Sequence, residues 1–181
     1  DTHKRQSLKN RINGLITEIS EEIGLYTLKE SQHKLAQILS YGERMAAIIL
    51  SFAIEQFVNS SLQCPGHIDL KTNGEPLTSS FVDLNMSKLK HNTQTDKITI
   101  VPGFYGISDT GNICLVGRGG SDYSAAFIAK KINASKLVFW KDTHGVRSAD
   151  PKFVTATQLV KHLSFNALSI MEQTGAAIMH P

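Results

Sequence analysis

The chain has 181 residues, of which 41% are hydrophobic and 19% are charged, and its formal net charge is +3, as in an ordinary soluble globular domain with a core. The sequence has no block rich in lysine or arginine that would suggest a nucleic-acid partner. None of its apolar runs approaches the roughly 18 residues of a membrane span. The two cysteines, Cys64 and Cys114, lack metal-type spacing, and the N-terminus has no signal-peptide pattern. We therefore expect a cytoplasmic protein with free thiols.

Helical periodicity dominates the first third of the chain. Apolar residues recur at spacings of three and four over 4–22, which predicts an amphipathic helix that stops near Gly24. A longer helical pattern covers about 28–58 and contains Gly42, which costs up to about 1 kcal/mol relative to alanine. We consider a break at this glycine, with Ser40 as the cap of the following helix.

The middle of the chain alternates turn-rich and apolar segments. Residues 60–85 predict loops with short strands at 67–70 and 80–82, and 87–91 predict a short helix. The β-branched run 97–101 predicts a buried strand that ends at Pro102. An Asp-Thr-Gly turn at 109–111 then predicts a return into a strand over 113–116.

A glycine-rich turn, Gly-Arg-Gly-Gly-Ser-Asp at 117–122, joins that strand to a predicted helix over 123–131. Glycines let the backbone approach a bound group closely. Ser121 or Asp122 is expected to cap the helix, whose N-terminus favours an anion. Arg118 adds a permanent charge that suits a carboxylate or a phosphate. A plain, well-capped turn is the alternative for this segment.

The last third predicts further strands and helices. Residues 136–140 predict a parallel strand after a crossover helix, and 141–152 form a polar loop. Residues 159–163 and 165–174 are helical in pattern, and 176–179 predict a final strand. The alternation of strands and helices indicates an α/β domain with a mostly parallel sheet.

Three polar segments follow predicted strands, at 103–106, 117–122 and 141–152, where open α/β sheets bind ligands. Asp122 stands where a dinucleotide fingerprint needs glycine, and no Gly-Lys-Ser/Thr follows, so Rossmann and Walker sites are excluded. What remains is an anion site with a carboxylate and a cationic loop, the mixture that phosphoryl transfer requires. Taken singly, these charges are more often solvated surface residues or loop caps.

Residues 116–126, Val-Gly-Arg-Gly-Gly-Ser-Asp-Tyr-Ser-Ala-Ala, resemble the signature of the aspartokinases, enzymes of the amino-acid kinase fold. Residues 139–151 are similar to the family's Trp-Thr-Asp-Val-Asp-Gly-Val-Tyr-Thr-Ala-Asp-Pro-Arg. Ser-Tyr-Gly-Glu at 40–43 resembles Ser-x-Gly-Glu, and residues 103–106 resemble Gly-Phe-x-Gly. The end of the chain, 175–181, resembles Gly-Ala-Lys-Val-Leu-His-Pro.

The resemblance implies a three-layer αβα sandwich with a mostly parallel sheet, the amino-acid kinase or carbamate kinase-like fold. Residues 1–95 would form a mainly helical, substrate-side part, and 96–181 the glycine-rich and nucleotide-binding part. The implied reaction transfers the γ-phosphoryl group of ATP to the side-chain carboxylate of L-aspartate and gives 4-phospho-L-aspartate. This reaction is the first step of lysine, threonine and methionine biosynthesis. Mg²⁺ would bridge the ATP phosphates, without metal ligands from the chain.

Site residues follow from the same resemblance. Glu43 would hold the substrate ammonium group, Arg118 would pair with a substrate carboxylate, and Asp122 would orient the substrate or a catalytic lysine. The implied substrate site comprises Ser40, Glu43, Phe104, Arg118 and Ser121. The implied nucleotide site comprises Lys141, Asp142, Arg147 and Lys152.

The chain also departs from the aspartokinase pattern. The family's N-terminal Lys-Phe-Gly-Gly motif has no match in this sequence, and Ala177 stands where the family has a lysine. We expect a catalytic part without regulatory ACT domains. Lys141, His144 and Arg147 replace the usual Thr, acid and Tyr. We therefore expect a catalytic domain truncated at its N-terminus, weak or inactive alone, that self-associates through exposed edges.

Two alternatives stay open after this comparison. One is another amino-acid kinase, acting on glutamate or a uridylate. The other is a non-catalytic, degenerate kinase that senses aspartate or a nucleotide.

Overall fold

The structure is a computed structural model that describes residues 2–26, 32–89, 97–141, 145–150 and 153–173. The chain divides into two compact units, Asp1–Ala134 and Ser135–Pro181, and each is described by itself. The predicted division after residue 95 concerns functional roles and stays a prediction. No helix in the described ranges is long and apolar enough to cross a membrane.

Two long helices open the first unit, α1 (Thr2–Leu25) and α2 (Gln32–Ile54). They share a buried cluster of Leu15, Tyr41 and Ile48. The predicted break at Gly42 is wrong, because α2 runs through this glycine with buried residues on both sides of it. Ser40 is likewise not a cap, since its buried hydroxyl donates to the Gln37 carbonyl at 2.7 Å inside the helix. Burial of these side chains outweighs the propensity cost of about 1 kcal/mol for one glycine.

In the described ranges six short strands follow, and they form two sheets. They are β1 (Ser60–Leu62), β2 (Lys71–Asn73), β3 (Ser80–Asp83), β4 (Ile98–Ile100), β5 (Tyr105–Ile107) and β6 (Ile113–Leu115). One sheet pairs β1 with β4 in parallel, and the other has the order β3-β2-β5-β6. In the second sheet β2 and β5 are parallel, whereas β2–β3 and β5–β6 are antiparallel. The predicted strands near 80–82, 97–101 and 113–116, and the return at 109–111, are confirmed.

Two local predictions in the middle of the chain are wrong. Residues 67–70 form a turn rather than a strand, because the His67 and Leu70 amides donate to the Cys64 and Pro65 carbonyls. Residues 87–89 form a turn rather than the start of a helix, since the Asn85 side chain accepts from the backbone of the two residues after Met86. Such short side-chain bonds compete with regular structure. Residues 90 and 91 lie outside the described ranges.

The glycine-rich turn leads into α3 (Gly120–Lys131), which packs on the core of the first unit. That core contains Ile68, Leu70, Phe81, Leu84, Leu89 and Val116, with Tyr123 and Phe127 of α3 against it. The helix begins earlier than predicted, and its N-cap is Gly119, which makes no side-chain cap bond. Ser121 and Asp122 therefore lie in the first turn and are not caps.

The second unit has less regular structure in its described part. Residues 136–140 form no strand, and Trp140 is 92% exposed, so an apolar run alone does not create a sheet partner. Residues 159–163 are not helical, and Leu159 instead forms a bridge with Arg147. Helix α4 (Phe165–Gln173) confirms the predicted helix at 165–174. The predicted strand at 176–179 lies outside the described residues.

An ion pair connects two turns of the first unit. The Asp69 carboxylate accepts from the Lys88 ammonium at 2.7 Å and from the Asn85 amide at 3.2 Å. The hydrogen bond from Lys88 is the main cause that lowers the pKa of Asp69 below its usual value. A folded-state pKa below the unfolded one contributes stability above about pH 4, and this is lost as pH falls through the folded pKa.

We predict that Asp69→Asn lowers the free energy of unfolding at pH 7 and that the difference from wild type narrows at pH 3. Asparagine suits this position because Asp69 has φ 46°. Urea unfolding at both pH values measures the effect. A difference of equal size at pH 7 and pH 3 would show that the charge of Asp69 is irrelevant.

Candidate functional site

A cavity of about 450 Å³ lies in the first unit between α2 and the start of α3. Its lining residues come from α2, the segment before β5 and the glycine-rich turn: Leu39, Gly42, Glu43, Phe104, Arg118, Gly119, Gly120 and Ser121. A cavity of this size suits a small polar metabolite.

Two opposite charges face this cavity. Glu43 is part of α2, and Arg118 is part of the glycine-rich turn. The Ser121 hydroxyl donates to Glu43 Oε1 at 2.8 Å and so joins α3 to α2. Arg118 is exposed, and among the described residues its guanidinium has no ion-pair or hydrogen-bond partner. A ligand with both an ammonium and a carboxylate group meets a complementary charge at each residue.

The backbone of the glycine-rich turn accounts for its glycines. Gly117 and Gly119 have φ of 81° and 72°, in the left-handed region that glycine adopts without steric cost. A Cβ on Gly120 would lie 2.6 Å from Val116 Cγ2 and 3.0 Å from Phe104 Cδ2. The turn therefore presents bare backbone at the N-terminus of α3, where the helix dipole favours an anion.

Phe104 forms one wall of the cavity in an unusual conformation. Its φ is 71°, a value that residues with a large side chain rarely adopt. Its amide donates to Ser124 Oγ at 2.8 Å, and its carbonyl accepts from the Val116 amide at 3.0 Å. The amide of Phe104 is thus held by α3, and its carbonyl is held by the residue that follows β6.

The structure brings together four of the five residues predicted to bind the substrate: Glu43, Phe104, Arg118 and Ser121. Ser40 does not line the cavity, because its hydroxyl is buried against the Gln37 carbonyl. Asp122 lies beside Ser121 in the first turn of α3, and the lining residues do not include it. Sequence reasoning missed Leu39, although its spacing of four from Glu43 places both on one face of a helix.

The residues predicted to bind the nucleotide belong to the second unit. Arg147 donates through Nε and Nη2 to the Thr157 hydroxyl and carbonyl, the second at 3.0 Å, so part of its guanidinium serves local structure. The Lys141 ammonium lies 5.9 Å from the centre of the Phe139 ring. Asp142 and Lys152 lie outside the described residues. The nucleotide roles of all four residues stay predictions.

A metal site needs several ligand side chains that converge on one point. Across the described ranges, no group of three or more His, Cys, Asp and Glu side chains is arranged to hold a metal ion.

Comparison with known proteins gives consistent matches. The sequence model of the Amino acid kinase family matches residues 5–181. An aspartokinase of Geobacillus stearothermophilus is 26% identical over 152 residues, which cover 83% of this chain and 37% of that protein. The lysine-sensitive aspartokinase 3 of Escherichia coli is 25% identical over 179 residues, which cover 96% of this chain and 40% of that protein.

A solved structure of E. coli aspartokinase III in complex with aspartate and ADP has a TM-score of 0.80 and 24% identity. The match covers 96% of this chain and 40% of the E. coli chain. The chain therefore spans 37% and 40% of the length of these two aspartokinases. The predicted α/β class and fold are confirmed, and the similarity to aspartokinases extends well beyond the quoted motifs.

Proposed function

This chain belongs to the amino acid kinase family, and we propose that it forms the aspartate-binding part of an aspartokinase. Such an enzyme transfers the γ-phosphoryl group of ATP to the side-chain carboxylate of L-aspartate. The observation that carries the proposal is the cavity in which Arg118 and Glu43 offer opposite charges to one small ligand. The aspartate and ADP bound to the matching E. coli enzyme support the same substrate pair.

Recognition would use the two charged groups common to all amino acids. The Arg118 guanidinium would pair with the α-carboxylate through two parallel hydrogen bonds, assisted by the N-terminus of α3. Glu43 would accept from the ammonium group through Oε2, because Ser121 already occupies Oε1. This arrangement holds the backbone part of aspartate and leaves its side-chain carboxylate for the reaction.

The nucleotide would be held by the second unit. ATP supplies the phosphoryl group, and Lys141, Asp142, Arg147 and Lys152 would contact it, as the aspartokinase motifs imply. Asp122 would orient the substrate carboxylate or a lysine. Mg²⁺ would reach the site on the ATP phosphates, where it neutralises charge.

The product, 4-phospho-L-aspartate, places the protein at the first step of lysine, threonine and methionine biosynthesis. We propose that this step takes place in the cytoplasm and that the protein self-associates. The lysine-sensitive E. coli relative supports the link to lysine.

Ligand analogues test the proposal on the chain itself. Calorimetry should show that L-aspartate binds. Succinate lacks the ammonium group, and β-alanine lacks the α-carboxylate. Each of these two analogues should bind at least about tenfold more weakly than L-aspartate. The reason is that each charged hydrogen bond contributes about 1.5–3 kcal/mol, and 1.4 kcal/mol is tenfold in affinity. Equal affinity for aspartate and succinate would exclude the proposed role of Glu43.

Turnover distinguishes the remaining alternatives. Aspartate-dependent formation of ADP, with the acyl phosphate trapped by hydroxylamine, is the result expected of an aspartokinase. Binding of aspartate without turnover in any assembly that contains this chain would favour the non-catalytic sensor. Tighter binding of L-glutamate than of L-aspartate would favour another amino-acid kinase.

A further inference from the structure

We propose that Ser124, a buried residue of α3, is a positioning residue for the cavity between α2 and α3, because it fixes the position of two residues that line it. This inference rests on the proposed function. Ser124 is 2% exposed and does not line the cavity. Its hydroxyl accepts from the Phe104 amide at 2.8 Å and donates to the Gly120 carbonyl at 2.6 Å. One hydroxyl thereby connects two lining residues that come from different elements.

Phe104 depends on this bond because of its backbone conformation. A left-handed φ of 71° is unfavourable for phenylalanine and persists only where neighbouring groups impose it. The Val116 amide holds the carbonyl of Phe104 at 3.0 Å, and Ser124 holds its amide. Without the Ser124 hydroxyl, the half-buried amide of Phe104 would lose its hydrogen-bond acceptor. Only the bond from the Val116 amide would then hold the backbone of Phe104.

The same contact sets how closely α3 approaches the segment before β5. A Cβ built on Gly103 would lie 3.1 Å from Ser121 Cα and 3.2 Å from Ser124 Oγ. These two pieces of chain are therefore packed without room for a side chain between them. Ser121, in the same turn of α3, holds Glu43 at 2.8 Å. A shift of Phe104 relative to α3 would therefore disturb the cavity wall that Phe104 forms and also the Glu43 carboxylate that Ser121 holds.

The test replaces Ser124 in the full 181-residue chain. We expect Ser124→Ala to lower aspartate affinity about tenfold in calorimetry, because an unpaired polar group disfavours the ordered loop. Hydrogen exchange of the Phe104 amide, followed by NMR, should become faster in the same variant. Ser124→Thr keeps the hydroxyl and should restore slow exchange and most of the affinity.

Ser79 provides a matched control. It is 3% exposed, and its hydroxyl donates to the Leu115 carbonyl at 2.8 Å rather than bonding to Phe104. Ser79→Ala should lose stability as Ser124→Ala does, yet keep wild-type affinity and wild-type exchange at Phe104. An equal loss of affinity in both alanine variants would reduce Ser124 to a general stabilising residue and overturn the inference.

The exchange measurement also separates this inference from the proposed function. If the wild-type chain binds no aspartate, the proposed function fails, while exchange at Phe104 still reports whether Ser124 holds that segment. If the Phe104 amide stays protected in Ser124→Ala, the positioning role fails whatever the chain binds.

Discussion

Replacing Arg118 with alanine should weaken aspartate binding about 100-fold while leaving the free energy of unfolding within about 0.5 kcal/mol of wild type. The loss is large because a guanidinium and a carboxylate form two charge-assisted hydrogen bonds in a fixed geometry. Stability is spared because Arg118 is exposed and has no ion-pair or hydrogen-bond partner among the described residues.

Calorimetry and urea unfolding of the same variants measure both quantities. Arg118→Lys should fall between wild type and alanine, since lysine keeps the charge and loses the planar fork. Arg5→Ala, at an exposed position of α1, is the matched control and should change neither quantity. If Arg118→Ala binds aspartate as wild type does, the α-carboxylate is recognised elsewhere.

Gly106→Ala should destabilise the first unit by about 3 kcal/mol. A Cβ at this position in β5 would lie 2.6 Å from Thr72 Cγ2 and 2.7 Å from the Leu70 carbonyl oxygen. That carbonyl accepts from the Ile107 amide at 2.9 Å, so it cannot recede without breaking the contact between β2 and β5. The glycine that ends the Gly-Phe-x-Gly motif is therefore required by the sheet rather than by the ligand.

Gly14→Ala is the matched control, with the opposite sign. Gly14 lies inside α1, and a Cβ there would have no atom within 4 Å. Alanine should therefore stabilise the helix by about 0.5–1 kcal/mol. Urea unfolding compares the two variants with wild type. A Gly106→Ala variant within about 1 kcal/mol of wild type would contradict the close packing of β5 on β2.

Several features of this protein could be predicted from short stretches of its sequence. Strand β6 follows from the Asp-Thr-Gly turn and the apolar run after it, and α3 follows from the glycine-rich turn and the helical sequence after it. Strand β5 was not predicted, because residues 103–106 were expected to form a polar turn. That Arg118 and Glu43 line one cavity was also expected, because their motifs resemble those of aspartokinases. In each case the information lies within about a dozen neighbouring residues, which is the range that turn chemistry and periodicity report.

Other features were decided only by contacts between distant residues. Packing of Tyr41 and Ile48 carries α2 through Gly42, and the apolar run at 136–140 forms no strand because no described strand pairs with it. Glu43 meets Ser121 although 78 positions separate them in the chain. The hydrogen bond that the Phe104 amide donates to Ser124 also has no local signature, since a serine in a helix usually bonds within its own turn. The sequence by itself determined the chemical groups and the short elements, whereas tertiary burial decided which groups face one another, because hydrogen bonding and packing across elements depend on the whole fold.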